Sequence, residues 1–515
     1  MQKLPIGEQF FARLRNRNML YVDKTEQIYN LMNVGTHVFL SRPRRFGKSL
    51  LTTTLKEIFR GNRALFQGLW IEDKIDWQPR PVLLLNFNAL NYRDFSLAEA
   101  LADQMDKLAA EHGLTLNERD HKGKFRELIL RLGEQGEVVL LIDEYDKPIT
   151  DLLEHEEQLQ ENITTLRNFY SVLKSAEGEH IYFTLITGVS KYGKISIFSE
   201  LNNLLDISLD RRFATLLGYT QAELEHYFGD YIERLAATFQ VQRAEILQQI
   251  AFWYDGYSWD GIDSVYVPYS TLLFFEQQRF TNHWFSTGTP SFLVKLLRSH
   301  RIPAYQLDDL NADNTLLESA DVNNISVLSL LFQTGYLTIK AIHNSFLGAT
   351  YHLGYPNYEV AQSFQQYLLA DYLEQSVDRV SATLLHNLQR ALATREIESF
   401  ITIFQSVFAS IPSHLFLPQE AYYHSVVYLV LKVLGFTVHA EWPTNLGRLD
   451  AVLELADTVY LLEFKMSSGE IALQQIREKQ YAQSFLGGSK MVILLGIAFD
   501  KESRNITDWQ HEIAG

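Results

Sequence analysis

At 515 residues the chain is past the size at which a single hydrophobic core keeps growing, so roughly two to four domains are expected. With 46% apolar and 21% charged residues, no apolar stretch long enough for a membrane span and no signal-type run after Met1–Gly7, the composition predicts a soluble cytoplasmic protein. The absence of cysteine excludes disulfides and thiolate metal sites, and a net charge of −16 argues against a broad electrostatic grip on nucleic acid, local patches excepted.

Residues 1–215 alternate β-rich runs with amphipathic stretches, which predicts one α/β domain. The runs at 36–41, 81–87, 138–143 and 181–187 are nearly continuous in apolar residues, as strands buried on both faces are. Between them "GKSLLTTTLKEIFR", "LAEALADQMDKLAAEHG" and "ITTLRNFYSVLKSAEG" carry apolar residues at helical spacing. Residues 216–345 turn mainly helical, opening on Thr220 and Glu223 in a capping-box arrangement. The aromatic loops "WYDGYSWDG" and "HWFSTGTPSF" in that region read as turns with packed rings. Residues 346–405 read as a helical connector, and 406–515 as a separate domain: a helix closing on Gly435, a β-meander, a further helix and a final buried strand.

In "SRPRRFGKSL" (41–50), Gly47, Lys48 and Ser49 complete the second half of a phosphate-binding loop, but the position of its first glycine is held by Arg42. Strand, loop and helix in this order offer backbone N–H groups and a helix N-terminus to phosphate. Pro43 biases Arg42 toward an extended conformation that any residue tolerates, so the loop can form without that glycine. Lys48 is expected to reach the β- and γ-phosphates, Ser49 to ligate Mg²⁺, and Arg44 and Arg45 to add charge. "VVLLIDEYDKP" ends a buried strand on Asp143 and Glu144, suited respectively to orienting Mg²⁺ and polarising a water. Thr187 and Ser190, after the next strand, could sense the γ-phosphate or merely cap the strand. Arg211 and Arg212 read as surface charges, with service to a neighbouring subunit's nucleotide as the alternative.

A second constellation lies in "GRLDAVLELADTVYLLEFK". If Ala456 and Asp457 form a two-residue turn, counting outward pairs Asp450 with Glu463, and alternation puts Lys465 on the same face. Two carboxylates there can hold one or two Mg²⁺ ions, while the lysine orients a water or neutralises developing charge. Glu420 and His424 share a helix face upstream, and Gln475 sits on a helix expected to pack over the sheet. Glu441 reads first as a solvated loop acid, with metal ligation as the alternative. Against a nucleic-acid substrate stands the charge of residues 411–515, with 8 Lys and Arg against 12 Asp and Glu.

"YVDKT", "RPRRFGKSL" and "LLIDEYDKP" resemble the AAA-ATPase-like family of bacterial proteins, and "WFSTGTPSFL", "LFQTGYLT" and "LGYPNYEV" are similar to its middle region. "YHSVVYLVLKVLGF", "GRLDAVLE", "LEFK" and "ALQQIREKQY" resemble the PD-(D/E)XK nuclease domain fused behind it, although Leu449 stands where the motif has proline. The resemblance implies an ASCE-type P-loop NTPase domain, a mainly helical middle region and a C-terminal restriction-endonuclease-like α/β domain. ATP contacts would run through Arg44, Arg45, Phe46, Gly47, Lys48 and Ser49, with Asp143 on Mg²⁺ and Glu144 on the water. Asp450, Glu463 and Lys465 fall on the nuclease core, with Glu420 and Gln475 as accessory residues, the former a metal ligand and the latter catalytic. The expected activity is an ATP-regulated, Mg²⁺-dependent DNA endonuclease acting on foreign DNA, with Mn²⁺ as an alternative at the nuclease site and a homo-oligomer as one arrangement. The rival is a nucleotide-switched binding protein whose nuclease fold is a scaffold, and a third reading has the loop bind ATP without turnover.

Overall fold

A computed structural model describes residues 1–514 except 93, 154, 177–179, 192–193, 200, 202, 285–290, 314–316, 318–325, 347, 375–381, 413–416 and 418. The chain forms two compact units, one of residues 1–286 and 311–359, the other of 287–310 and 360–515. Two stretches of chain therefore build each unit, and the expected division at 215, 345 and 405 does not coincide with the packing. Among the described residues no helix is long and apolar enough to cross a membrane.

The first unit is organised by a parallel sheet of β1 (His37–Ser41), β2 (Val82–Asn86), β3 (Val138–Asp143), β4 (Ile181–Gly188) and the short β5 (Leu205–Asp206), in the order β2–β3–β4–β1–β5. The apolar runs become strands because both faces are covered, and every position of β3 is buried. One strand, β4, separates β1 from β3, and parallel pairing brings the carboxyl ends of β1 and β3 to the same edge of the sheet. Crevices at that edge are where open α/β sheets place ligands. The helix Lys48–Phe59 starts there, directly after Gly47. Helix Leu97–Glu111 begins in a capping box of Ser96 and Glu99, and helix Glu156–Ala176 follows β3. Helices Phe11–Asn16, Thr25–Met32 and His121–Gly133 were outside the sequence expectation. The last opens "HKGK", and only Phe125, Leu128, Ile129 and Leu132 supply its buried stripe.

The expected capping box at Thr220 and Glu223 is present. Helices Gly229–Phe239, Arg243–Tyr254 and Pro268–Gln277 share one core with Leu4, Leu20 and Val22, so the N-terminal segment is built into the helical region. The loop at 253–261 buries Tyr257 and Trp259, whereas residues 285–290 of the second aromatic loop lie outside the described residues. The start of the expected connector is a strand rather than a helix. Strands β6 (Leu310–Asp313), β7 (Thr338–Ser345) and β8 (Gly348–Gly354) form a small sheet in which β7 and β8 pair as a hairpin.

The second unit contains the helices Tyr358–Leu373, from residue 360 onward, Ala382–Thr394, Ile397–Ala409 and Glu420–Val433. Its sheet comprises β9 (Thr437–Thr444), β10 (Gly447–Glu454), β11 (Thr458–Lys465), β12 (Met491–Asp500) and β13 (Asn505–Ala514), ordered β13–β12–β11–β10–β9. The meander holds only for β9 to β11. Helix Gly469–Glu478 crosses over so that β12 runs parallel to β11, and β13, unforeseen from the sequence, closes the edge. That helix lies close enough to β12 that a Cβ at Gly496 would fall 2.5 Å from the Leu473 nitrogen, so glycine is required there.

Candidate functional site

In the loop after β1, Arg42 is not a vestige of a missing glycine. It is 1% exposed, and its guanidinium donates to the carbonyls of Ser41 (3.0 Å), Ser208 (2.6 Å) and Phe213 (3.2 Å) while lying 4.0 Å from the centre of the Trp259 ring. Burial lowers its pKa to about 9, with Asp206 pulling the other way. The arginine thus ties the loop entrance to distant backbone, and the left-handed positions lie further along, at Arg45 (φ 71°) and Gly47 (φ 93°). Phe46 is buried, edge-on to Tyr257 and Trp259, so its ring anchors the loop. Arg45 likewise turns its guanidinium to Tyr269, at 4.3 Å, and to the carbonyl of His283, leaving Arg44 as the exposed cation of the pair.

Lys48 is buried and donates to the carbonyls of Arg42 (2.8 Å) and Pro43 (2.9 Å), bridging the loop. Burial depresses its pKa, and the charges of Asp143, Asp146 and Glu144 counter this. Ser49 Oγ donates to Asp143 Oδ2 at 2.6 Å, which brings the two expected Mg²⁺ ligands together. Thr187 Oγ1 donates to the other oxygen of Asp143 at 2.7 Å, so it holds this carboxylate. Glu144 follows with φ 56°, a conformation that non-glycine residues adopt at a cost. Burial raises its pKa, Asp143 adds to the effect, and among the described residues its Oε2 has no hydrogen-bond partner. Ser190 cannot sense phosphate as it stands, being fully buried with Oγ donating to Asp146 Oδ2 at 2.8 Å. Arg212 pairs with Asp210 at 2.6 Å and Arg211 lies 3.7 Å from Asp260, both guanidinium groups being exposed. Beside Gly47 opens a mostly apolar, half-open pocket walled by Tyr21, Val22, Phe46, Leu51, Leu217 and Gly218.

In the second unit the hairpin closes with Leu455 N donating to Thr458 O at 2.8 Å, and Ala451 faces Leu462. The ladder ends at that pair, and Asp450 and Glu463 follow directly beyond it. Asp450 Oδ2 accepts from Phe464 N at 2.6 Å, and Asp450 N donates to Glu463 Oε2 at 3.4 Å. Glu463, 1% exposed, accepts at Oε1 from Lys465 Nζ (2.8 Å) and from Gln475 Nε2. Burial and then the charge of Glu463 push the Asp450 carboxyl well up, and burial raises Glu463 against the pull of Lys465. Burial alone would lower Lys465, but its bond to Glu463 and the surrounding carboxylates hold it above its ordinary value.

The expected metal set of Glu420, Asp450 and Glu463 differs from the grouping found. A ring nitrogen of His424 and carboxylate oxygens of Glu441 and Asp450 lie within 4.8 Å of one another. Glu463 has its Oε1 engaged by Lys465 and Gln475, and Glu420 acts on Asp450 through its charge without joining the group of three. Burial pushes the His424 imidazole down to about 3, a backbone hydrogen bond at Asp450 opposing, so the ring is neutral at physiological pH and able to ligate. Its Nε2 is buried with no hydrogen-bond partner among the described residues. Two carboxylates and a neutral imidazole fit a divalent cation of hard to borderline character.

Residues 5–198 match the family model described as predicted AAA-ATPase, and residues 418–509 match that of the PD-(D/E)XK nuclease superfamily. An uncharacterized protein of the vnfD 5′ region of Azotobacter chroococcum mcd 1 is 38% identical over 527 residues, covering 100% of this chain and 99% of that one. The chain belongs to the AAA-ATPase-like family with a C-terminal PD-(D/E)XK nuclease domain. The AAA-ATPase-like match contains the whole Lys48–Asp143 constellation, and the nuclease match contains every member of the carboxylate cluster. The nuclease-superfamily domain supports a hydrolase, and the two domains imply use of a nucleotide and a divalent metal. Neither match reaches Ser208, Phe213, Trp259 or Tyr305, which support the two sites from outside them. Asp146 was visible in "DEYDKP", but its role as a clamp on the loop after β4 had no local signal.

Proposed function

We propose that this protein is an ATP-regulated, metal-dependent DNA endonuclease. The observation that carries the reading is the cluster at the end of the hairpin, where Glu463 is bonded to Lys465, Gln475 and Asp450 N, with His424 and Glu441 beside Asp450. Asp450, Glu441 and His424 would hold Mg²⁺ or Mn²⁺, which supplies an activated water and charge stabilisation for phosphodiester cleavage. Lys465, kept protonated by Glu463, would neutralise charge on the phosphate, and Gln475 would fix Glu463. In the first unit Lys48 would exchange the carbonyls of Arg42 and Pro43 for phosphate oxygens, and Ser49 with Asp143 would take Mg²⁺. The strand inserted between β1 and β3, with Glu144 ending the latter, supports an ASCE-type ATPase in which Glu144 accepts the proton of the attacking water. The apolar cavity beside Gly47 would take the base.

The test is plasmid cleavage by the full-length protein with Mg²⁺ or Mn²⁺, with and without ATP, beside Lys465→Ala. Cleavage by the wild type that Lys465→Ala loses is expected, and equal inertness of both under every condition refutes the nuclease. Phosphate release by wild type and Glu144→Gln separates hydrolysis from binding alone. The acidic balance of residues 411–515, 8 basic against 12 acidic, favours a second reading as a nucleotide-switched scaffold. That reading requires Mn²⁺ binding to be absent, or unchanged in Asp450→Ala.

A further inference from the structure

Tyr305 lies outside both family matches, yet it packs on the metal cluster. Residues 287–310 belong to the second unit, although the chain on either side of them belongs to the first. Within this excursion the short helix Ala304–Asp308 is fastened along the Glu420–Val433 helix at three places. Ala304 N donates to Ser425 Oγ at 3.3 Å, Asp308 accepts from the Tyr428 hydroxyl, and Lys432 Nζ lies 3.1 Å from Asp308 Oδ2.

The docking brings the Tyr305 ring over the His424 imidazole, with centroids 4.1 Å apart and planes at 21°. Phe464, the residue between Glu463 and Lys465, meets the same imidazole at 5.1 Å and 53°. His424 therefore packs against two aromatic rings, one from the nuclease hairpin and one from the excursion. The torsion that turns a histidine ring is broad and weakly restrained by itself. Metal-bound imidazoles are commonly oriented by a hydrogen bond from the far nitrogen. Nε2 of His424 makes none among the described residues, so beyond the ring's hydrogen bond to the Asp450 backbone its plane is held by the faces packed against it.

We propose that Tyr305 is a positioning residue of the metal centre: by stacking on His424 it fixes the imidazole in the orientation that lets it share a cation with Asp450 and Glu441. The proposal rests on the nuclease reading of that cluster. Its chemistry predicts a dependence on the metal. Mn²⁺ accepts imidazole readily, whereas Mg²⁺ depends on oxygen ligands, so loosening His424 weakens Mn²⁺ more than Mg²⁺. A residue that only fills space would not change that ratio.

The experiment is calorimetric titration of nucleotide-free full-length protein with Mn²⁺ and with Mg²⁺, for wild type, Tyr305→Phe, Tyr305→Leu and Asp450→Ala, each checked by thermal melting. Tyr305→Phe keeps the ring and is expected to bind Mn²⁺ within about twofold of wild type. Tyr305→Leu is expected to lose about tenfold or more in Mn²⁺ affinity and less for Mg²⁺. Tyr305→Met replaces it should the leucine variant fail to fold. Wild-type Mn²⁺ affinity in the leucine or methionine variant overturns the proposal, as do equal losses of both metals or a phenylalanine variant as weak as the leucine. A wild type whose Mn²⁺ binding is absent or unchanged in Asp450→Ala instead removes the metal centre itself, and the role of Tyr305 falls with it.

Discussion

Glu359 is fully buried and accepts the backbone N–H groups of His283 at 2.5 Å and Trp284 at 2.8 Å, while Arg45 of the phosphate loop donates to the carbonyl of the same His283. This carboxylate therefore props the strip of backbone on which the loop arginine rests. Burial raises its pKa to about 7, the two N–H donors and Arg45 acting against the rise. The folded value lies above the unfolded one near 4.5, so the native state binds the proton more tightly. The stability contributed is fully present below about pH 4.5 and is lost as pH rises to and through 7. A gap of about 2.5 pKa units corresponds to about 3 kcal/mol, or roughly three-hundredfold in the local opening equilibrium. Glu359→Gln keeps an oxygen for the two N–H groups and cannot ionise. At pH 4 the variant should match wild type, and at pH 8 it should be the more stable by up to that amount. Hydrogen-exchange mass spectrometry on peptides containing His283 and Trp284, with the intrinsic pH dependence divided out, reads this without assuming two-state unfolding of a large chain. If protection in the two proteins runs parallel from pH 4 to 8, within about threefold, the titration assigned to Glu359 is wrong.

Arg42→Gly completes the textual pattern of a phosphate loop, yet it should weaken ATP binding in calorimetry and cost roughly 2–4 kcal/mol by chemical denaturation, because it orphans buried carbonyls and leaves a void against Trp259. Thr187→Val preserves shape but removes the donor to Asp143 Oδ1, and Mg²⁺–ATP affinity should fall about tenfold at unchanged melting temperature. Gly496→Ala places a methyl group against the backbone of Gly469 and Leu473. The helix carrying Gln475 must then shift away from Glu463, so DNA cleavage should fall at least tenfold and stability by about 1–3 kcal/mol, read in a plasmid assay and by denaturation.

The parts of the fold that could be read from sequence are those whose information is local. The strands of the first sheet announce themselves by unbroken apolar runs, and counting outward from Ala456–Asp457 gives the hairpin register as far as Ala451 against Leu462 because a two-residue turn fixes it. β13 escaped because Asn505–Ala514 is a half-exposed edge strand with little apolar alternation. Arg42 escaped for a different reason. Its three acceptors include Ser208 and Phe213, more than 160 residues away, and no loop pattern encodes them. Glu441 reads as a loop acid from its neighbours, but a left-handed backbone (φ 51°) within β9 accompanies its place beside His424 and Asp450. His424 was correctly set on one helix with Glu420, while its choice of partners depends on the sheet beneath, which helical spacing cannot reveal.

Because the second unit is assembled from two separate lengths of polypeptide, its nuclease is not a transplantable cassette. A fragment cut at residue 418 would keep every carboxylate of the cluster but lose Gln405, which donates to Ile506 O at 2.9 Å and so supports β13. Even a fragment from residue 360 would leave Tyr428 and Lys432 without Asp308, and His424 with one face bare. Exchange of catalytic modules between such genes, by recombination or by cloning, has to carry the interior insert along with the tail.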